Sequence, residues 1–219
     1  MATNHDKIAG YYDLVSRIFF GKNLVEAQVC LLPHIPANSR VLIVGGGTGW
    51  ILEEIAKVHQ QGLSIEYIDS SAKMIALSKK RNHGANEINF IHLSAENYNT
   101  DKKFDVILTP FFFDIFLPAT IQNLFTKLDS LLKKEGLWLY VDFVYDKKTS
   151  HLWQKTLLRL MYFFFRVTSH IETQELIDMS PFFNDSYDQI SGISHYHNFI
   201  KSIVYGKIEN QTGANQIHL

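Results

Sequence analysis

At 219 residues, 46% hydrophobic and with a net charge of -1, the chain carries enough apolar material for one sizeable core and has no electrostatic footprint for a nucleic-acid partner. A single cysteine, Cys30, excludes an internal disulfide and fits a reducing, cytoplasmic compartment. The opening MATNHDKIAG lacks the basic and apolar regions of a signal peptide, and no apolar run approaches the roughly 20 residues that span a bilayer.

Residues 6–32 are helical in pattern. Ile8, Tyr11, Tyr12, Val15, Ile18 and Phe19 form one apolar stripe; Gly21-Lys22-Asn23 interrupts it, and Leu24, Ala27, Gln28 and Leu31 resume it. Pro33 and Pro36 close this cap. The β-branched run Val41-Leu42-Ile43-Val44 then breaks into Gly45-Gly46-Gly47-Thr48-Gly49, and an amphipathic helix follows from Ile51. A buried strand passing through a glycine turn into a helix N-terminus lets the backbone approach a ligand and presents free N–H groups to it.

Downstream, strands and helices alternate. Residues 64–68 read as a strand ending at Asp69, with Ser71 the N-cap of a helix through Met74 to Arg81. Residues 89–93 and 104–108 are the third and fourth strands. Pro118 opens a helix with the face Ile121, Leu124, Phe125 and Leu128, and Glu135-Gly136 turns the chain into a fifth strand, 137–141. This alternation implies a parallel sheet covered by helices on both faces. Residues 151–167 predict a helix with one broad apolar face, Leu152, Leu157, Leu160, Met161, Phe164 and Phe165. A short helix is expected near 173–179, then two strands around 187–194 and 199–206 forming an antiparallel hairpin on the sheet edge. The expected organisation is a single domain: residues 1–36 as helical cap, 37–209 as catalytic core, and 210–219 as a frayed polar tail.

Asp69 lies 24 positions after Gly45, at the carboxyl end of the second strand. A carboxylate there reaches a ribose diol and accepts a hydrogen bond from each hydroxyl, which suits NAD or S-adenosylmethionine. For NAD the pattern G-x-G-x-x-G is wanted, but Trp50 stands at the third glycine, where a bulky side chain obstructs the pyrophosphate.

Five stretches in order resemble the class I S-adenosylmethionine-dependent methyltransferases over about residues 7–143: VLIVGGGTGW, IEYIDSSAKMIALSKKR, FIHLSAENY, FDVILTPFFFDIF and LKKEGLWLYVDF. The N-terminal YYDLVSRIFFGKNLVEAQ, with GGTG, is similar to the ubiquinone/menaquinone-biosynthesis C-methyltransferase subgroup. The resemblance implies a Rossmann-like, doubly wound, mostly parallel seven-stranded sheet, and S-adenosyl-L-methionine as cofactor. It implies as cofactor-binding residues Gly45, Gly46, Gly47, Thr48 and Gly49; Asp69, Ser70 and Met74; Ser94, Ala95 and Glu96; Thr109, Phe111 and Tyr12. Two positions depart from the family: Ile43 stands where an acid is usual in the first strand, and Ser94 where the adenine loop often has Asp.

The expected activity is methyl transfer to a small, apolar or aromatic acceptor walled by Phe19, Phe112, Phe113, Met161 and Phe164. Part of the 151–167 face either lines that pocket or meets a second subunit in a homodimer. His151 and Asp114 are the candidates for a base. No metal is expected: His195-Tyr196-His197 sets two histidines on one face of a strand, but without partners. Two other readings stay open: a degenerate domain that binds cofactor or protein without catalysis, and aminopropyl transfer of the spermidine-synthase type, which also uses a GGG turn. A polyamine would find Thr109-Pro110-Phe111-Phe112-Phe113 a poor host.

Overall fold

The computed structural model describes residues 21–144, 153–154, 156–157 and 176–208. The expectations for Tyr12, Phe19, His151, Met161 and Phe164, and for the tail, lie outside these residues.

The first described helix, α1 (Asn23–Val29), buries Ala27 and Gln28 and leads into a 3-10 turn at Leu32–His34. The apolar run becomes β1 (Arg40–Val44), buried from Val41 onward. There follow α2 (Trp50–Val58), β2 (Gln61–Asp69), α3 (Ala72–Ser78), β3 (Ala85–His92) and β4 (Phe104–Pro110). A second 3-10 turn (Phe113–Ile115) precedes α4 (Pro118–Leu131), β5 (Leu132–Phe143), α5 (Ser180–Phe183), β6 (Tyr187–His195) and β7 (Ile200–Lys207).

All seven strands form one sheet in the order β3-β2-β1-β4-β5-β7-β6. The first five are parallel, and β7 lies antiparallel between β5 and β6. The hairpin is thus added to the sheet as expected, with its second strand innermost. Alternating side chains divide the interior. Val41 and Ile43 join Ile51, Leu52 and Ile55 of α2 and Ala27 of α1 on one face. Leu42 and Val44 join Leu124 and Leu128 of α4 and Phe183 of α5 on the other. Helices on both faces make the sheet doubly wound, as expected.

Three local readings differ in detail. β5 begins at Leu132, five residues earlier than the strand pattern, because its pairing with β4 slips around Glu135, whose φ is 58°, and Gly136. The turn residues are a bulge inside the strand. The short helix expected near 173–179 is corrected: residues 176–179 are not helical, and the turn of helix starts at Ser180. Pro181 has no N–H and a fixed φ, so it fits only a first turn, while the Asp178 carboxylate accepts the Ser180 N–H at 3.0 Å. His195 and His197 do not share a strand face, because β6 ends at His195 and Tyr196, His197 and Asn198 are all left-handed. That hairpin loop is held by Trp153, whose ring meets Tyr196 edge-on at 5.1 Å, and by Gln154, which donates to the His197 carbonyl at 2.9 Å.

Candidate active site

The strand order reverses between β1 and β4, and at such a switch point a crevice opens beyond the carboxyl ends of the strands. The glycine turn occupies the β1 side. Gly45 donates to the Ile68 carbonyl at 2.9 Å, which ties the turn to β2, and a Cβ on Gly45 would lie 2.9 Å from the Phe112 ring. Gly47 has φ 65°, a conformation that costs an L-residue, and no described atom lies within 4 Å of where its Cβ would be. Gly49 caps α2 at φ 79° and rests on Ser78, whose Cα would be 2.6 Å from an added Cβ. Among the described residues the turn is therefore packed on either side of Gly47 and open at Gly47 itself. Thr48 is buried, and its carbonyl accepts from Arg81 Nε at 3.1 Å; the same guanidinium pairs with Glu53 at 3.5 Å. Trp50 is the first residue of α2, half-buried against the core, at the position where a dinucleotide motif needs glycine.

Asp69 ends β2 facing this turn. Its Oδ2 accepts the Gly47 N–H at 3.0 Å and its Oδ1 the Ser71 N–H at 2.8 Å. Ser71 caps α3 as expected, accepting the Met74 N–H at 3.2 Å, and Met74 is buried beneath it. The Ser70 carbonyl is 3.0 Å from the His92 ring nitrogen at the end of β3. In the next loop Ala95 is buried, Ser94 accepts from the Asn97 amide at 3.1 Å, and the Glu96 side chain is exposed while its carbonyl accepts from Lys127.

The loop after β4 is more deeply embedded than its residue types announce. Phe111 is left-handed at φ 50°, held by its N–H to the Val141 carbonyl at 2.8 Å, and its ring lies 4.9 Å from Phe143. Phe112 packs against Gly45, whereas Phe113 is a core residue beside Trp138. Two of the expected site residues are buried here. The Thr109 side chain is fully buried and accepts the Trp138 indole N–H at 3.0 Å, so it is turned away from the crevice. Phe113, 2% exposed, packs in the core.

Asp114 is not alone. Asp142 on β5, 2% exposed, accepts the N–H groups of Phe113 at 3.1 Å and Phe143 at 2.8 Å and so holds the 3-10 turn to the sheet. Burial pushes the Asp142 carboxyl up to about 7, opposed by the N–H groups of Phe143, Phe113 and Asp114. Burial, and then the facing charge of Asp142, push Asp114 well above the usual carboxylate range. The sequence analysis did not single out Asp142, an acid in a buried run of apolar strand residues. It also did not single out two buried polar groups on β2. Tyr67 on β2, fully buried, donates its hydroxyl to the Gly47 carbonyl at 3.0 Å. Buried Glu66 accepts from Tyr98 and pairs with Lys102. A polar residue inside an otherwise apolar strand was the available clue.

A mostly parallel sheet of order 3-2-1-4-5-7-6 with this turn and strand-end carboxylate defines the class I S-adenosylmethionine-dependent methyltransferase fold. Residues 41–136, a little under half of the chain, match the family model described as a methyltransferase domain. Two curated relatives are from Ilyobacter polytropus. Malonyl-[acyl-carrier protein] O-methyltransferase 2 is 35% identical over 109 residues, 48% of this chain and 40% of that one. Malonyl-[acyl-carrier protein] O-methyltransferase 1 is 34% identical over 139 residues, 61% of this chain and 48% of that one. The chain thus spans less than half the length of the curated relatives it matches. Among solved structures, the N-methyltransferase NodS from Bradyrhizobium japonicum WM9, in complex with S-adenosyl-l-homocysteine, superposes with a TM-score of 0.63 at 12% identity, covering 87% of this chain and 88% of that one. That likeness is one of fold. Among the described residues no three metal-ligating side chains come together, and no helix is long and apolar enough to cross a membrane.

Proposed function

We propose that the chain transfers a methyl group from S-adenosylmethionine to a small acceptor at the switch-point crevice. The observation that carries this reading is the open space at Gly47, flanked by packed glycines and faced by the strand-end carboxylate of Asp69. A group with a ribose diol and a methionyl tail fits that cradle. Asp69 takes the diol; the Gly45-to-Gly49 turn gives backbone N–H groups and close approach; Ser70, Met74 and the 94–96 loop flank the adenosyl side. When bound, the cofactor supplies a methyl group on a sulfonium, activated for direct displacement. The protein's task is then to align the acceptor in line with that methyl group and exclude water. Phe111 and Phe112 form the described apolar side, and aromatic faces stabilise a nearby sulfonium.

The acceptor is read as small and apolar or aromatic from this loop. A second reading follows from the Ilyobacter relatives, whose names specify O-methylation of a malonyl group on an acyl carrier protein. Titration calorimetry with S-adenosylmethionine and S-adenosylhomocysteine tests the cofactor. Tritiated methyl transfer to phenols, aromatic acids and a malonyl thioester then separates the acceptors. Failure of both cofactors to bind at millimolar concentration overturns the enzyme reading in favour of a degenerate domain. A preference for decarboxylated cofactor would favour aminopropyl transfer.

A further inference from the structure

Gly47 is left-handed, and among the described residues both of its peptide groups are held from β2. Asp69 takes the N–H and Tyr67, two residues earlier on the same strand, takes the carbonyl, each at 3.0 Å. Tyr67 is fully buried in the core facing β1, with its ring 5.5 Å from Phe90. Its hydroxyl end lies against Gly46, where an added Cβ would be 2.5 Å from the oxygen. Directly opposite Tyr67 in the β1–β2 register stands Ile43, buried and apolar, which has no polar group for the turn.

We propose that Tyr67 is a positioning residue for the cofactor turn, supplying from β2 the polar anchor that β1 lacks. The phenol fixes the carbonyl of Gly47 against the sheet, so the following peptide cannot rotate and direct that oxygen into the crevice. A buried carbonyl without its donor is costly enough to favour such a rotation. Two hydrogen bonds from β2 thus set both sides of Gly47, opposite the apolar Ile43 of β1. The role rests on the cofactor reading for its consequence in binding, but the hold on the turn exists without ligand.

The test is Tyr67→Phe, which keeps the ring and removes only the hydroxyl. Amide hydrogen exchange of the free protein should rise at Gly46 to Gly49 while the amides of β1 and β2 keep their protection. Affinity for S-adenosylhomocysteine should fall roughly 5- to 30-fold, the range of one lost hydrogen bond to a positioned group. 4-Aminophenylalanine at position 67, which restores a donor on the same ring, should recover both. If turn exchange and affinity stay at wild-type values in Tyr67→Phe, the positioning role is wrong. If exchange rises uniformly across the sheet and the amino variant rescues nothing, Tyr67 is merely core and the role is equally overturned. If the wild-type chain binds neither cofactor form, the cofactor reading falls, while exchange at the turn still decides whether Tyr67 holds it.

Discussion

Gly47→Ala separates the space proposed for a ligand from the space the fold needs. The backbone there has φ 65°, and holding an alanine in the left-handed region costs about 1–2 kcal/mol. No described atom is within 4 Å of the new methyl group, so no packing penalty adds to that. For a chain of this size the thermal midpoint should drop by roughly 2–8 °C. The same methyl group enters the crevice, and crowding a fitted ligand costs about 1–3 kcal/mol, or roughly 5- to 150-fold in affinity. Gly49→Ala is the counter-case: its Cβ would lie 2.5 Å from Ser78 Cβ and 2.6 Å from Ser78 Cα, so overlap with backbone adds about 1–3 kcal/mol of folding penalty to the conformational one. Differential scanning calorimetry and titration with S-adenosylhomocysteine on both variants measure the two effects separately. Gly47→Ala should be the more stable variant, and weak in binding despite that stability. Wild-type affinity in a folded Gly47→Ala would place the cofactor elsewhere. A loss of stability equal to that of Gly49→Ala would show that the space is not open.

Asp69→Asn should weaken S-adenosylhomocysteine by about 1.5–3 kcal/mol, the scale of hydrogen bonds to a charged group, and titration of the folded variant at wild-type affinity would contradict the ribose role. Thr109→Val should lose about 1–2 kcal/mol of stability in urea unfolding by stranding the Trp138 N–H, yet bind cofactor normally; a selective loss of binding would return Thr109 to the site. The buried carboxyls give a pH dependence of definite sign. With Asp142 pushed up to about 7 and Asp114 also raised, the folded chain retains protons that the unfolded chain, with carboxyl values near ~4, releases. Their contribution is therefore full below about pH 4 and is lost as pH rises through 7. Asp114→Asn removes the facing charge and should flatten that decline, so it should gain stability over wild type at pH 8 relative to pH 5. An identical difference at the two pH values would mean that Asp114 does not retain a proton on folding.

The glycine turn, the carboxylate at Asp69 and the Ser71 cap were legible because each is a local event, a backbone conformation or a one-turn hydrogen bond written within a few residues. The strand and helix order was legible for the same reason, since periodicity reports which face of a segment is buried. The burial of Thr109 and Phe113 was not legible because a residue near a strand end can face crevice or core, and the indole of Trp138, 29 positions beyond Thr109, decides which. Asp142 and Tyr67 acquire their roles entirely from pairing. The first reaches a turn that belongs to another strand's end, and the second faces Ile43 only because β1 and β2 align in one register. Local chemistry therefore determined the class of ligand the chain is built to approach. Which side chains hold that approach open was decided by contacts between segments distant in sequence, where burial forces each polar group to find a partner.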